Sequence, residues 1–287
     1  MNHILSDMLS KYRPNTFSEK QNALKEVCQS TLLSALSHTD FFEHAAFYGG
    51  TCLRIFYGLD RFSEDLDFGV VKENDDFSVG AYMSAIEDAF AIYGLGVEAS
   101  VSGKAISTNV ESAYLQTNAR ETMLSFYPKD PEVERIVFNQ KIKVKFEVSK
   151  SFIPGAAFEN KRLFLPEVCW IKTYDKSSLF SGKIGAVLGR EWKHRVKGRD
   201  YYDFAFYVAR EIKPNMEYLQ NELRKDGVIG PTQVLTPDLL VFLLKQKIES
   251  INFSLAKDDV LSFVSPSKDL SFWTKDFFLE IVDRMVF

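Results

Sequence analysis

Leu24, Val27, Cys28, Thr31, Ala35 and Leu36 recur at helical spacing and predict one long helix. Just ahead of them, Ser18-Glu19-Lys20-Gln21 has the form of a capping box, a hydroxyl followed three residues later by Gln, and predicts the helix start there. The short apolar run Ala45-Ala46-Phe47-Tyr48 meets Gly49-Gly50-Thr51, which reads as strand, tight turn and helix start. Asp65-Leu66-Asp67-Phe68-Gly69-Val70 alternates polar with apolar and predicts a half-buried strand. Tyr82, Ile86, Ala89, Phe90 and Tyr93 form a second helical stripe, stopped by Gly94. Met123 to Tyr127 is read as a strand. The clearest strand is Ile142 to Val148, with even positions apolar and Lys143, Lys145 and Glu147 on the other face.

After Pro154 the texture changes, and from about Val168 onward the pattern reads as helical. Leu239, Leu240, Phe242 and Leu243 belong to one apolar helix, and Phe277, Phe278, Ile281 and Met285 to the last. The chain is therefore expected to be α+β or α/β in class. A mixed sheet with flanking helices is expected over residues 1–150, and a mostly helical domain over 151–287. There is no internal repeat and no low-complexity linker.

Composition narrows the function classes. The 287 residues are 46% apolar and 26% charged, which excludes a disordered or fibrous chain. The 35 Lys+Arg against 39 Asp+Glu leave a net charge of −4, which argues against nucleic-acid binding by global charge but leaves a local basic patch open. No window approaches the roughly 18 consecutive apolar residues of a membrane span, and Met1 to Pro14 lacks an apolar signal core, so a cytoplasmic protein without membrane contact is expected. Cys28, Cys52 and Cys169 make neither a disulfide framework nor a CxxC zinc site.

Three features bear on chemistry. Gly49-Gly50-Thr51 sits at a strand-to-helix turn, where glycines let backbone N–H groups approach a phosphate and the helix N-terminus attracts anions. Taken alone, a glycine pair is more often a plain turn. Asp65 and Asp67, two apart on a strand, point to one face. They are either solvated acids or a pair that a hard cation such as Mg2+ would hold together. Glu147, on the polar face of another strand, either completes a three-carboxylate cluster for two-metal phosphoryl transfer or pairs with Lys143 or Lys145.

The combination is more specific than its parts. A Gly-Gly-Thr turn, a helix and then Asp-x-Asp on the next strand resembles the polymerase-β type nucleotidyltransferase superfamily. The run from Gly49-Gly50-Thr51-Cys52-Leu53-Arg54 through Tyr57-Gly58-Leu59-Asp60-Arg61-Phe62-Ser63-Glu64-Asp65-Leu66-Asp67-Phe68 resembles the AbiEii/AbiGii toxin family of type IV toxin–antitoxin and abortive-infection systems. A second block, Lys183 followed by Gly198-Arg199-Asp200-Tyr201-Tyr202-Asp203, is similar to that family's Lys and DxxD motifs, so the resemblance covers roughly residues 15–210.

The resemblance implies an NTP-dependent, pyrophosphate-releasing nucleotidyltransferase. Asp65, Asp67 and Glu147 would hold Mg2+, or Mn2+ in its place. Gly49, Gly50, Thr51 and Lys183 would hold the nucleoside triphosphate, GTP or a pyrimidine NTP. Asp200 and Asp203 would support catalysis. Thr51 stands where the wider superfamily usually has Ser, and Glu147 is placed by strand phase alone. The resemblance also implies growth arrest, an RNA acceptor such as a tRNA 3′ end, and a cognate antitoxin encoded nearby without an obligate stable complex. A nucleotide-binding regulator that holds GTP without transfer, and a protein-modifying nucleotidyltransferase, are the alternatives.

From Lys183 to Arg199 there are six Lys or Arg (183, 190, 193, 195, 197 and 199) against one acid, Glu191. This stretch either grips an RNA backbone or a triphosphate or is a solvated helix end. Trp192 within it either stacks on a base or packs, and His44 and His194 are read as ordinary polar side chains.

Overall fold

The computed structural model describes residues 3–73, 77–102, 109–128, 130–136, 140–191, 196–265 and 268–287. They form two compact units, the first built from Met1–Ile55, Glu64–Phe152 and Asn160–Thr173, the second from Phe56–Ser63, Ile153–Glu159 and Tyr174–Phe287.

The first unit is organised on a mixed sheet. Its strands are β1 (Ala45–Tyr48), β2 (Asp65–Val70), β3 (Glu98–Val101), β4 (Val110–Asn118), β5 (Lys141–Ser149), β6 (Phe158–Leu163) and β7 (Cys169–Tyr174), with the outer ends of β6 and β7 belonging to the second unit. Among the described residues the order is β3-β4-β5-β2-β1-β7-β6. The β1–β7 and β2–β5 pairs are parallel; β1–β2, β3–β4 and β4–β5 are antiparallel. The helices here are α1 (His3–Ser10), α2 (Phe17–Ser37), α3 (Phe41–His44), α4 (Gly49–Tyr57, its last two residues in the second unit), α5 (Met83–Ile92), α6 (Ala119–Phe126) and α7 (Pro131–Glu134).

Strand alternation decides which sheet face is covered. Phe47, Leu66, Phe68, Val144, Phe146, Val148 and Ile171 are fully or almost fully buried on one face. Phe68 meets the rings of Phe41 at 4.9 Å, Phe47 at 5.1 Å and Phe146 at 6.5 Å. Each such side chain contributes roughly 1.5–3 kcal/mol on burial, and this layer fixes the register. Helix α2 packs against β5 and α5. Its buried polar residues tie down neighbouring segments: Gln29 donates to the Glu64 carbonyl at 2.9 Å, and Glu26 accepts from Arg54 Nε at 2.6 Å. The opposite face carries the polar residues of β2, β4 and β5.

The expected mixed sheet and flanking helices are present, with three local differences. Helix α2 begins one cap earlier than Ser18 suggests: Thr16 is the N-cap, and Thr16 and Glu19 form the reciprocal capping box. Met123 to Tyr127 is not a strand but the end of α6, because the Asn118 side chain accepts from the Glu121 N–H and starts a helix there. The strand of this region is β4, just before it. The residues from Val168 do not enter a helix at once. Cys169, Ile171 and Thr173 are buried while Trp170 is exposed, the period of two that makes β7, and β6 precedes it.

The second unit is mostly helical: α8 (Lys176–Gly189), α9 (Gly198–Val208), α10 (Met216–Lys225), α11 (Pro237–Glu249), α12 (Phe253–Leu261) and α13 (Lys275–Asp283). Asp175, Asn215, Thr236, Asn252 and Thr274 cap five of these helices by accepting from backbone N–H groups. The core is aromatic. Phe180 stacks on Tyr207 at 4.7 Å, Phe253 stacks on Phe278 at 4.6 Å, and Tyr201 meets both of the latter edge-on. A side chain at Gly198 would overlap the Ala256 carbonyl, so the close approach of α9 to α12 at this point requires glycine. Of the residues expected on α11, Leu240 is buried and Phe242 is exposed.

Candidate functional site

Chain direction reverses sharply between β1 and α4. Gly49 makes the turn with φ +80, and a Cβ there would meet Asp67 Oδ2 at 2.5 Å. Glycine is therefore required twice, by its backbone conformation and by the carboxylate lying against it. The buried Thr51 hydroxyl donates to the Asp65 carbonyl oxygen. The turn is thus locked to both acids of β2. Because α4 starts at Gly49, its first N–H groups and the positive end of its dipole lie beside the Asp67 carboxylate.

Sheet register arranges the rest of this face. Asp67 is opposite Tyr48 on β1 and Glu147 on β5, and Glu147 is opposite Ser112 on β4. In the next row Asp65 is opposite Lys145, which is opposite Tyr114. Directly opposed side chains start about 4.5–5.5 Å apart. Asp65, Asp67 and Glu147 therefore share one face on adjacent strands. Their side chains do not close on a common point: among the described residues no three His, Cys, Asp or Glu side chains form a ready metal cluster. Glu147 accepts from Ser112 Oγ at 2.7 Å and pairs with Lys145 Nζ at 2.7 Å. Burial lowers the Lys145 pKa, but the hydrogen bond and charge of Glu147, with the charge of Asp65, outweigh it and the net shift is upward. A cation thus already sits among the acids, supplied by the chain. The donor set itself, carboxylate oxygens on one sheet face beside a helix N-terminus, fits a hard divalent cation that keeps water and phosphate oxygens as further ligands.

In the second unit Lys183 on α8 faces Asp200 and Asp203 on α9. Its Nζ is 2.8 Å from Asp200 Oδ1 and 2.9 Å from Asp203 Oδ2. Spacing of three places both acids on one helix face, as expected. Asp203 is fully buried and is held by Arg61 as well, Nε to Oδ1 and Nη2 to Oδ2, both at 2.6 Å. Arg61 Nη1 donates to the Phe62 carbonyl at 2.7 Å, and Arg190 pairs with Asp200. Burial would raise the Asp200 carboxyl, but Lys183, Arg190 and Lys197 bring it down to about 2. Burial would likewise lower Lys183, and Asp200 and Asp203 reverse this. Four cations, Arg61, Lys183, Arg190 and Lys197, act on these two carboxylates.

The Glu147–Lys145 pair is one of the two alternatives open for Glu147 in the sequence, whereas the sequence pattern gives Arg61 no role. Arg61 lies inside the signature run, four residues before Asp65, and only the fold brings it to Asp203. Of the basic stretch, Trp192, Lys193, His194 and Arg195 lie outside the described residues. Lys183 and Lys197 are largely withdrawn from solvent, and Arg199 stacks over Phe263 at 3.9 Å. Lys183, Lys197 and Arg199 are thus drawn into the fold, whereas the Arg190 side chain is 38% exposed. His44 stands 3.5 Å from Asp40 and packs on Phe77. The three cysteines are buried and unpaired with one another. No described helix is long and apolar enough to cross a membrane.

The comparisons with known proteins bear on both units. In fold the chain is similar to MenT4, the nucleotidyltransferase toxin Rv2826c from Mycobacterium tuberculosis H37Rv, with TM-score 0.61 and 16% identity over 99% of this chain and 89% of that one. It is also similar to JHP933 from Helicobacter pylori, with TM-score 0.53 and 17% identity over 92% of this chain and 90% of that one. No curated protein matches the chain in sequence. The family model for the nucleotidyl transferase AbiEii toxin of type IV toxin–antitoxin systems matches residues 31–280, a span that holds the glycine turn, the acids of the sheet face and the Lys183 network. With that match over most of its length, the chain belongs to the AbiEii family of nucleotidyltransferase toxins, whose type IV systems pair each toxin with a cognate antitoxin.

Proposed function

We propose that this toxin transfers a nucleotide from an NTP to an RNA acceptor, a tRNA 3′ end being the expected target, on the polar sheet face of the first unit. The observation that carries this reading is the seating of the Asp67 carboxylate against Gly49, at the N-terminus of α4. A triphosphate drawn to that helix end lies beside a carboxylate able to share a cation with it. Asp65 and Asp67 would hold Mg2+ or Mn2+, and Glu147 would join them once released by Lys145. When bound, such a cation supplies charge neutralisation at the reacting phosphate and lowers the pKa of a coordinated hydroxyl.

The chain's own residues do the rest. The backbone N–H groups of Gly49, Gly50 and Thr51 would bind phosphate oxygens, while the Thr51 hydroxyl keeps the turn fixed on β2. The acceptor hydroxyl oxygen bonds to the α-phosphorus, and its proton passes to a carboxylate of the face. The bond from the α-phosphorus to the bridging oxygen breaks, and pyrophosphate leaves with the electron pair. Within the second unit, Arg61 and Asp203 position Lys183, whose ammonium would meet phosphate charge.

The experiment is an incubation of the purified protein with a divalent cation, each α-labelled NTP and total RNA, run beside Asp67→Ala. Label entering a tRNA-sized band, lost in the variant, is the expected result. Label entering protein instead would replace RNA by a protein acceptor. Unchanged transfer by a folded Asp67→Ala would remove this face from the reaction.

A further inference from the structure

Beyond the acids, the same sheet face carries an exposed aromatic on β7. Thr173 is level with Phe47, and Phe47 with Phe68, all on the covered face. Alternation then turns Lys172 and Trp170 to the other face, the one that bears Asp65, Asp67 and Glu147. Trp170 is 57% exposed, unusual for the largest apolar side chain. The Arg162 guanidinium, from the edge strand β6, lies 4.6 Å from its ring centroid. One side of the indole is covered by a cation, and its exposure leaves the other side to solvent.

We propose that Trp170, with Arg162 and Lys172, is a stacking platform for a single-stranded RNA segment of the acceptor. This rests on the proposed transfer reaction and adds where its acceptor lies. An indole accepts any base on its open face, and the two cations beside it answer the phosphates. The acids further along the face repel a polyanion, so the strand is held at the cationic edge and only its end enters. Two strand spacings of about 4.8 Å and four residues at about 3.3 Å put Trp170 roughly 16 Å from Asp67. A few nucleotides of extended single strand span that interval. A duplex cannot offer an unstacked base to the ring, so the platform selects single strands.

The test is anisotropy of a 5′-fluorescein single-stranded RNA dodecamer of mixed sequence, titrated with the full chain at several salt concentrations. Trp170→Ala is expected to weaken binding by about 5- to 100-fold, and Trp170→Phe to recover most of it. Arg162→Gln is expected to reduce the slope of log affinity against log salt by about one. A blunt duplex of the same sequence should be insensitive to Trp170→Ala. Because Trp170 is exposed, thermal unfolding of its variants should match the parent. Single-strand binding by Trp170→Ala as tight as the parent's would overturn the platform, as would failure of the parent to bind any RNA. Asp67→Ala separates the two proposals: it should still bind the dodecamer while losing transfer, and retained transfer by that variant would count against the reaction site and not the platform.

Discussion

Asp67 and Gly49 are fitted to each other: the carboxylate oxygen of one fills the space where a side chain of the other would stand, 2.5 Å from its would-be Cβ. The Gly-Gly turn is therefore a seat for an acid as well as a bend in the chain. Gly49→Ala must adopt φ +80 at a cost of about 1 kcal/mol and must also push Asp67 aside. The expected outcome is a fall in Tm of several degrees and a larger, at least tenfold, loss of nucleotide transfer. Gly58→Ala, at φ +75 with open space around it, is the control, expected to lose stability alone. Equal transfer by the two variants would show that the seat is irrelevant.

Lys145 stands where a second cation would be drawn. Its removal as Lys145→Met should take the ammonium from Glu147 and remove one positive charge from the face that bears Asp65, Asp67 and Glu147. Mn2+ should then bind at least severalfold more tightly, read by electron paramagnetic resonance without any turnover. Unchanged or weaker Mn2+ binding would mean that Lys145 does not compete with a metal.

Arg61 and Asp203 form a fully desolvated bidentate pair. Asp203→Leu takes the carboxylate from the buried Arg61 and is expected to cost about 3–5 kcal/mol in urea unfolding, while Arg61→Met, which leaves Asp203 with Lys183, should cost less. The double variant should recover much of that, because neither charge is stranded. Arg61→Lys should not rescue, since an ammonium cannot make the two parallel bonds. Additive losses in the double variant would show that the two residues act separately.

Glu222 gives a pH signature of definite sign. Burial, followed by the charge of Asp226, raises its carboxyl to about 8, with Lys225 and Arg190 only partly offsetting this. Its Oε2 makes no hydrogen bond among the described residues. The folded protein holds this proton where the unfolded chain has released it, so stability falls as pH rises from about 4.5 to 8. Glu222→Gln should be more stable than the parent at pH 8 and lose that portion of the slope. A parent-like slope in the variant would assign the proton elsewhere.

Asp200 acts in the opposite sense. Its folded pKa of about 2 lies below the unfolded value of 3.8, so its contribution is complete above pH 4 and disappears as pH falls through about 2. Asp200→Asn should unfold less steeply across that acid range while being less stable at neutral pH. An acid transition identical to the parent's would show that the Lys183 and Arg190 pairs add nothing.

Local periodicity determined much of this protein. A period of two put Asp65 and Asp67 on one face, a spacing of three put Asp200 and Asp203 on one helix side, and Gly49-Gly50 fixed a turn, because each depends only on backbone geometry within a few residues. The same local rules failed at Met123 to Tyr127, where the Asn118 cap outweighed a strand-like composition, and at β7, where a short alternation lay next to helical sequence. Tertiary structure alone decided the rest. The parallel pairing of β2 with β5 set Glu147 opposite Asp67 and Lys145 opposite Asp65, and 142 residues separate Arg61 from Asp203. Register between distant strands is chosen by how their apolar faces pack. The polar residues that such packing brings together on the opposite face are therefore not encoded in any one segment.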